Sequence, residues 1–307
     1  MDAQLAFFSP AEGVHLYYEW WMPERPKAVV VVVHGMGDHS GRYGPLIRYF
    51  GQRQYGVAIY DQRGHGHSGG PRGHVEHFQD LLGDLAYFVQ MLKEHYPGVP
   101  LYLVGHGFGG QVALNFVVRY AKGLRGLLLS SPNVQLALKV PKWKQWVGRY
   151  GHRWFPRIAL RHAVDSAMLS HDPDVVERHR RDPLVVRRVS LHGAVEIVRN
   201  LELVMALASR IHLPVFFMHA GADAICDPEG TRRFFRRIPV ARKQLKIYDE
   251  FAHELFNEVR RDEVFRDMEQ WMSELLIEER LAREPKRPEQ RITVPAGLQR
   301  EKPWAHA

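Results

Sequence analysis

Apolar residues recur along the chain in short continuous runs of strand length. Runs rich in Val, Ile and Leu occupy residues 28–33, 57–60, 101–104, 124–129, 215–219 and 245–248. Segments with helical periodicity separate most of these runs, and 81–95 and 108–122 are examples. Strands that are apolar on both faces and alternate with helices are typical of a parallel sheet covered on both sides. The pattern therefore predicts an α/β fold with a mostly parallel sheet, to which the alternating segments 4–8 and 14–20 add an edge hairpin.

Two segments depart from this alternation. Residues 132–209 are basic, rich in aromatic residues and helical in pattern, and we expect them to form a helical cap inserted over the carboxyl end of the sheet. Residues 280–307 are rich in Arg, Glu, Pro and Lys with few apolar residues, which predicts a disordered basic tail. The core is then formed by residues 1–131 together with 210–279.

The composition is that of a globular protein, with 45% hydrophobic and 25% charged residues in 307. The net charge of +8 is concentrated in the predicted cap, where thirteen Lys and Arg accompany six Asp and Glu between residues 139 and 199. The same segment carries Trp143, Trp146, Trp154 and Phe155. A basic, aromatic surface suits peripheral contact with a lipid membrane, but a solvated surface over a small aromatic core explains the composition equally well. Nucleic-acid binding is not expected, because no nucleic-acid motif accompanies the charge.

The first ten residues contain no basic segment followed by an apolar stretch, and no window of the chain has the roughly 18 apolar residues that a membrane helix needs. We therefore expect a cytoplasmic protein. Its single cysteine, Cys226, has no partner within the chain for a disulfide.

A glycine-rich turn follows the apolar run at 101–104. It reads GHGFG at 105–109, which has the spacing of the G-x-S-x-G turn that presents a nucleophile between a strand and a helix. The central position holds Gly107 instead of serine. With this turn the sequence resembles the α/β-hydrolase family, and in particular its monoacylglycerol lipase and lysophospholipase branch. The resemblance implies the α/β-hydrolase fold and a serine-hydrolase mechanism acting on carboxylic esters.

Two further segments occur in the family's order. Residues 34–43, HGMGDHSGRY, follow the first long apolar run and are similar to the family's oxyanion loop. Residues 61–68, DQRGHGHS, are similar to a turn that shapes the site. The residues that the resemblance implies here are the backbone oxyanion donors Met36 and Phe108 and the substrate contacts Gly35 and His106.

The remaining two residues of a catalytic triad are expected near the end of the core. Asp223 follows a strand and a small-residue turn, as the family's acid does, whereas Asp227 resembles the start of the next helix. His253 follows the run at 245–248 and matches the family's general base. By this resemblance Asp223 orients His253, which takes a proton from the nucleophile and returns it to the leaving alcohol.

Glycine has no side chain that could attack an ester, so Gly107 blocks the acyl-enzyme route. Both natural loss of catalysis and an engineered substitution explain the glycine. Other candidate nucleophiles lie off the turn, at Ser40, Ser130, Ser131 and Cys226. A water activated by His253 is the better candidate, and only for weak activity.

Two hypotheses follow. The first is a carboxylic-ester hydrolase of the monoacylglycerol lipase or lysophospholipase type whose activity is lost or very weak, acting on a small-molecule acyl ester or lysolipid. The second is a noncatalytic protein that binds an acyl ligand or a partner. Neither hypothesis requires a cofactor. No metal is expected either, because His65 and His67, which alternate beside glycines, form only a weak ligand pattern.

Overall fold

The computed structural model describes residues 2–138, 141 and 150–283. Its strands are β1 (Asp2–Ala11), β2 (Val14–Met22), β3 (Val29–Val33), β4 (Gly56–Tyr60), β5 (Leu101–His106), β6 (Leu124–Ser130), β7 (Ala159–Arg161), β8 (Arg188–Ser190), β9 (Val215–Ala220) and β10 (Lys243–Tyr248). Eight of them form one sheet in the order β1-β2-β4-β3-β5-β6-β9-β10. The antiparallel hairpin of β1 and β2 forms one edge and pairs antiparallel with β4. The other strands of this sheet, β4, β3, β5, β6, β9 and β10, run parallel to one another.

Helices cover both faces of this sheet. Those in the described part of the chain are α1 (Gly44–Gly51), α2 (Phe78–His95), α3 (Phe108–Tyr120), α4 (Pro173–Arg181), α5 (Leu191–Val204), α6 (Pro228–Arg236) and α7 (Arg261–Arg283). The five consecutive valines of β3 are completely buried and point alternately into two cores. Val29, Val31 and Val33 join the core under α2 and α3. Val30 and Val32 join the one under α1 and α7. The α/β fold with a mostly parallel sheet is confirmed.

The segment between β6 and β9 contains α4, α5 and a feature that the sequence did not predict. β7 and β8 pair as a three-residue antiparallel ladder, so this segment is not purely helical. Three residues are too few to produce a recognisable alternating pattern. The segment contacts the loops after β3 and β4, because the N–H of Val186 donates to the carbonyl of Gly37 at 2.9 Å and that of Ser190 donates to Gly73 at 3.0 Å. It therefore lies over the carboxyl end of the sheet.

The last helix is longer than expected. α7 continues to Arg283, four residues beyond the predicted end of the core at 279, and the rest of the predicted tail, 284–307, lies outside the described residues. Trp143 and Trp146 of the predicted lipid-facing surface also lie outside them. None of the helices in the described ranges is long and apolar enough to cross a membrane.

Candidate active site

Gly107 lies at the tip of the sharp turn from β5 into α3. Its backbone has φ +52° and ψ −116°, a conformation that side-chain-bearing residues adopt only under strain. An ideal Cβ built on it would point at His253, 3.1 Å from Nε2 and 3.6 Å from Cε1. A side chain at this position would therefore start in contact with the imidazole.

The two flanking glycines permit close packing of strand and helix. A Cβ on Gly105 would lie 2.7 Å from the carbonyl oxygen of Gly109. A Cβ on Gly109 would collide with the carbonyl oxygen of Val33, at the end of the neighbouring strand. Only glycine fits at these two positions, which explains the spacing of the motif at 105–109.

Asp223 and His253 form a buried pair beside Gly107. The loop after β9 carries Asp223, and the loop after β10 carries His253. His253 Nδ1 lies 2.8 Å from Asp223 Oδ2. The other carboxylate oxygen accepts the backbone N–H groups of Ile225 and Cys226 at 2.8 and 2.9 Å. These bonds fix the carboxylate, which in turn fixes the ring so that Nε2 faces Gly107.

Asp227 has a different place. It precedes α6 and its carboxylate accepts the N–H of Glu229 at 2.9 Å, as an N-cap. Of the two aspartates weighed from the sequence, the structure thus puts Asp223 beside His253 and uses Asp227 to begin a helix.

The charges of the buried pair support each other. Burial opposes ionisation of Asp223, but the charge of His253 and hydrogen bonds from His219, His253 and the Cys226 backbone hold its pKa well below the usual range. Burial likewise disfavours the protonated form of His253, yet the adjacent Asp223 carboxylate raises the pKa of His253 above its ordinary value. The imidazole is therefore a stronger base than an isolated histidine.

Two further histidines shape the site in neutral form. The ring of His106 lies 4.8 Å from that of His253, and its Nδ1 is 3.1 Å from Ser130 Oγ. Burial, followed by the charge of His253, lowers the pKa of His106 to about 4. His34 accepts the N–H of Gln62 at Nε2 (2.9 Å), so its proton is on Nδ1 and is donated to the carbonyl of Gly35 at 2.8 Å. His34 thereby holds the start of the loop at 34–43.

Met36 and Phe108 line the same cavity as Gly107. Phe108 is the first residue of α3. N–H groups in the first turn of a helix have no acceptor within the helix, and the helix dipole is positive at this end. The region beside Gly107 is consequently suited to an oxygen that gains negative charge.

An ion cluster that the sequence analysis did not identify joins the two loops of the site. Arg42 donates two hydrogen bonds to Glu254, at 2.6 and 2.7 Å, and one to Asp38 at 3.0 Å. Asp38 also accepts the hydroxyl proton of Tyr43 at 2.9 Å. Glu254 is the residue after His253, whereas Arg42 is 212 positions away. The segment at 34–43 contains Asp38, Arg42 and Tyr43, but no local pattern indicates that Arg42 pairs with Glu254.

A cavity of about 1270 Å³ opens onto Gly107. Gly35, Met36, His106, Phe108 and His253 line its inner end. Its outer walls come largely from the segment between β6 and β9 and are mostly apolar: Leu136, Leu138, Leu160, Val164, Val189, Leu191, Val195, Val198, Leu201 and Ile225. A space of this size and polarity accommodates an aliphatic chain.

The alternative nucleophiles are engaged elsewhere. Ser40 Oγ donates to Glu19 at 3.1 Å, Ser130 Oγ contacts His106, and Ser131 Oγ accepts the N–H of Ala220. None of these three buried serines is among the described residues that line the cavity. Cys226 does line it, but burial raises the pKa of its thiol well above the ordinary value, which disfavours the thiolate.

Among the described residues, Asp223, Cys226 and His253 come close enough for their ligand atoms to share a metal ion, within 4.8 Å of one another. The hydrogen bonds described above already occupy the Asp223 carboxylate, and the thiol is held in its neutral form. This arrangement is better suited to moving a proton than to holding a cation.

The chain is similar to known proteins over most of its length. A family model described as "Serine aminopeptidase, S33" matches residues 24–260. The chain is 31% identical over 257 residues to an uncharacterised abhydrolase domain-containing protein of Dictyostelium discoideum, covering 83% of this chain and 27% of that protein. It is 30% identical over 276 residues to the monoglyceride lipase of Rattus norvegicus, covering 86% and 88% respectively.

Among solved structures, the monoacylglycerol lipase of Paleococcus ferrophilus matches with a TM-score of 0.75 at 31% identity, over 85% of this chain and 98% of that one. The α/β-hydrolase fold expected from the turn at 105–109 is therefore confirmed, together with a likeness to monoglyceride lipases.

Proposed function

Because the chain belongs to the serine aminopeptidase S33 family of α/β-hydrolases, we propose that its cavity binds a single-chain acyl ester, a monoacylglycerol or a lysophospholipid, in position for hydrolysis beside Gly107. The relatives named monoglyceride and monoacylglycerol lipase support this substrate class. So does the mostly apolar cavity of about 1270 Å³, whose lining includes Gly107 and His253.

In this proposal Asp223 orients His253, and His253 is the general base and then the general acid. The N–H groups of Met36 and Phe108 stabilise the oxyanion, while Gly35 and His106 contact the bound ester. Gly107 occupies the nucleophile position without supplying a nucleophile. Loss of this group in a serine protease leaves only about 10³–10⁴-fold acceleration over water, so the chain retains at most weak hydrolysis.

One observation carries the proposal: a Cβ on Gly107 would lie 3.1 Å from His253 Nε2. A serine at this position brings its hydroxyl within reach of the base. We expect Gly107→Ser to hydrolyse p-nitrophenyl esters and monoacylglycerols, with a rate at least about 10³-fold above the parent. The double variant Gly107→Ser/His253→Gln is the control and should lose the gain. A folded Gly107→Ser variant that acts on neither short nor long acyl esters would refute the proposal.

The same glycine favours a second candidate, a noncatalytic protein that keeps an acyl ligand in the cavity. Calorimetric titration of the parent chain with a monoacylglycerol, a lysophospholipid and a fatty acid tests it. Saturable binding without turnover supports this candidate, and the absence of binding to all three removes it.

Peripheral membrane contact and a cytoplasmic location belong to the proposal as well. Trp154 is 81% exposed and Phe155 60%, and Ile158 follows them on the surface. Exposed aromatic residues within a basic segment suit an anionic lipid surface. Sedimentation with vesicles containing phosphatidylglycerol should carry the parent down, and the Trp154→Ser/Phe155→Ser variant should stay in solution. Equal sedimentation of the two chains would argue against this surface.

A further inference from the structure

The space in front of Gly107 is open to a small molecule. Apart from residues 106 and 108 beside it in the chain, the only described atoms within 4 Å of an ideal Cβ at this position are Nε2 and Cε1 of His253. Gly107 and His253 both line the cavity, so the space is connected to the ester-binding region. A serine side chain would place two heavy atoms in it. In this chain it can admit a molecule of about that size.

The orientation of the His253 ring does not depend on a side chain at residue 107. Its Nδ1 is 2.8 Å from the Asp223 carboxylate, an acceptor-only group, so Nδ1 carries the proton and Nε2 carries the lone pair. His106 packs against the ring, with centroids 4.8 Å apart. The backbone N–H of His253 also donates to the carbonyl of Met168 at 3.4 Å. The basic nitrogen therefore faces the space in front of Gly107.

We propose that this chain transfers acyl groups by single displacement, in which a small external nucleophile takes the place of the serine side chain between Gly107 and His253 Nε2. Water is the physiological candidate, and hydroxylamine and methanol are probes of similar size. The inference rests on the proposed function, because the ester must first bind in the cavity. Beyond the proposed function, it assigns a site for the acyl acceptor and a reaction route that forms no acyl-enzyme.

The reaction balances with the groups that the site and the two substrates provide. The nucleophile's oxygen or nitrogen bonds to the ester carbonyl carbon, its proton passes to His253 Nε2, and the carbonyl electron pair moves to the oxygen near the N-terminus of α3. The bond from carbon to the leaving alkoxide then breaks, and the alkoxide takes the proton from Nε2. The products are an alcohol and an acid, a hydroxamic acid or a methyl ester, according to the acceptor.

The acceptor site predicts that a side chain at residue 107 without a nucleophile lowers the reaction rate. An unspecific base effect of His253 would not depend on residue 107. A methyl group at residue 107 would lie 3.1 Å from Nε2 and would occupy the acceptor's position. Gly107→Ala should therefore be slower than the parent although it adds only one carbon. Gly107→Ser should be faster than both because it supplies its own nucleophile.

The experiment measures hydroxamate formation from p-nitrophenyl decanoate and hydroxylamine by the parent, Gly107→Ala, Gly107→Ser and His253→Gln, with thermal unfolding to establish that each is folded. For the parent we expect a rate that depends on hydroxylamine, saturates with ester and shows no burst of p-nitrophenolate. It should fall on the order of 10²-fold in His253→Gln and on the order of tenfold or more in Gly107→Ala. N-tert-butylhydroxylamine, whose tert-butyl group is larger than a serine side chain, should give no protein-dependent product.

The outcomes separate this inference from the proposed function. If Gly107→Ser hydrolyses the ester while the parent, Gly107→Ala and His253→Gln show the same background, single displacement is wrong and the proposed function stands. If Gly107→Ser is folded and inactive as well, the proposed function fails and the inference with it. Should Gly107→Ala not fold, equal parent rates with hydroxylamine and its tert-butyl derivative still overturn the acceptor site.

Discussion

At the scale of single residues, the glycine at 107 has opposite effects on stability and on catalysis. Its φ of +52° lies where glycine is favoured, and a side chain there strains the backbone by roughly 1–3 kcal/mol. The same side chain would be directed at His253 Nε2, where a hydroxyl could be activated. Glycine therefore favours the folded state at the expense of covalent catalysis, and the two effects can be measured separately.

We predict that Gly107→Ser lowers the free energy of unfolding by about 1–2 kcal/mol while it raises esterase activity. Urea denaturation of the two chains measures the stability change. Gly98→Ala is the matched control, because Gly98 has φ +80° and a Cβ there would meet no atom within 4 Å. It measures the cost of adding a side chain at a positive φ where the side chain makes no contact, and the change at 107 is compared with it. A Gly107→Ser variant more stable than the parent would contradict the strain argument.

At the scale of secondary-structure elements, the site depends on two loops held together by one arginine. The loop after β3 carries Arg42 and the loop after β10 carries Glu254 next to His253. The side chains are only 9% and 6% exposed, so this ion pair is not screened as a surface pair would be. Burial opposes ionisation of Glu254, but Arg42 lowers the pKa of Glu254 below its ordinary value. Burial also opposes ionisation of Asp38, and the charge of Arg42 again outweighs burial and lowers the pKa of Asp38.

Arg42→Met should consequently destabilise the fold by about 3–5 kcal/mol at pH 7, since it leaves two buried carboxylates without their cation. The pKa values of Asp38 and Glu254 are lowered in the parent. The stability that they contribute is therefore present above their ordinary pKa near 4 and is lost as the pH falls. The deficit of the variant should change little between pH 7 and pH 4 and should shrink below pH 4, which urea unfolding at pH 7 and pH 3 measures.

The control for this variant is Arg180→Met, which removes an exposed partner of Glu177 on α4. An exposed pair contributes about 0–1 kcal/mol, so this change should have little effect on unfolding at either pH. If Arg42→Met is no more destabilising than Arg180→Met, the ion cluster does not hold the two loops together.

At the scale of the whole molecule, features with a short repeat could be predicted from the sequence, and features made by distant residues could not. The five valines of β3 are consecutive and the three glycines at 105–109 alternate, and these local patterns predicted the sheet and the turn. The bonds of Arg42 to Glu254 cross 212 positions, and the contact of the His106 and His253 rings joins the end of β5 to the loop after β10. Such pairs depend on the order of the strands, which no local periodicity encodes.

Four buried histidines make the stability of the whole fold depend on pH. Burial lowers the pKa of His34, lowers that of His65 to about 3 and lowers those of His106 and His179 to about 4. Below pH 6.5 the unfolded chain takes up these protons while the folded chain does not, so stability falls as the pH drops. His253 has a raised pKa and is protonated in both states in this range, and it therefore adds no slope.

We therefore predict a loss of about 1.4 kcal/mol of stability per pH unit for each of these histidines between pH 6 and about 4.5. His106→Gln should reduce the slope by about 1.4 kcal/mol per pH unit, because glutamine takes up no proton on unfolding. His77→Gln, a change at an exposed histidine, should leave the slope as in the parent. The slope comes from urea midpoints at half-unit pH steps. A His106→Gln slope equal to that of the parent would mean that His106 is already protonated in the folded site. His253 would then have a charged imidazole as its neighbour, which contradicts the neutral His106 described above.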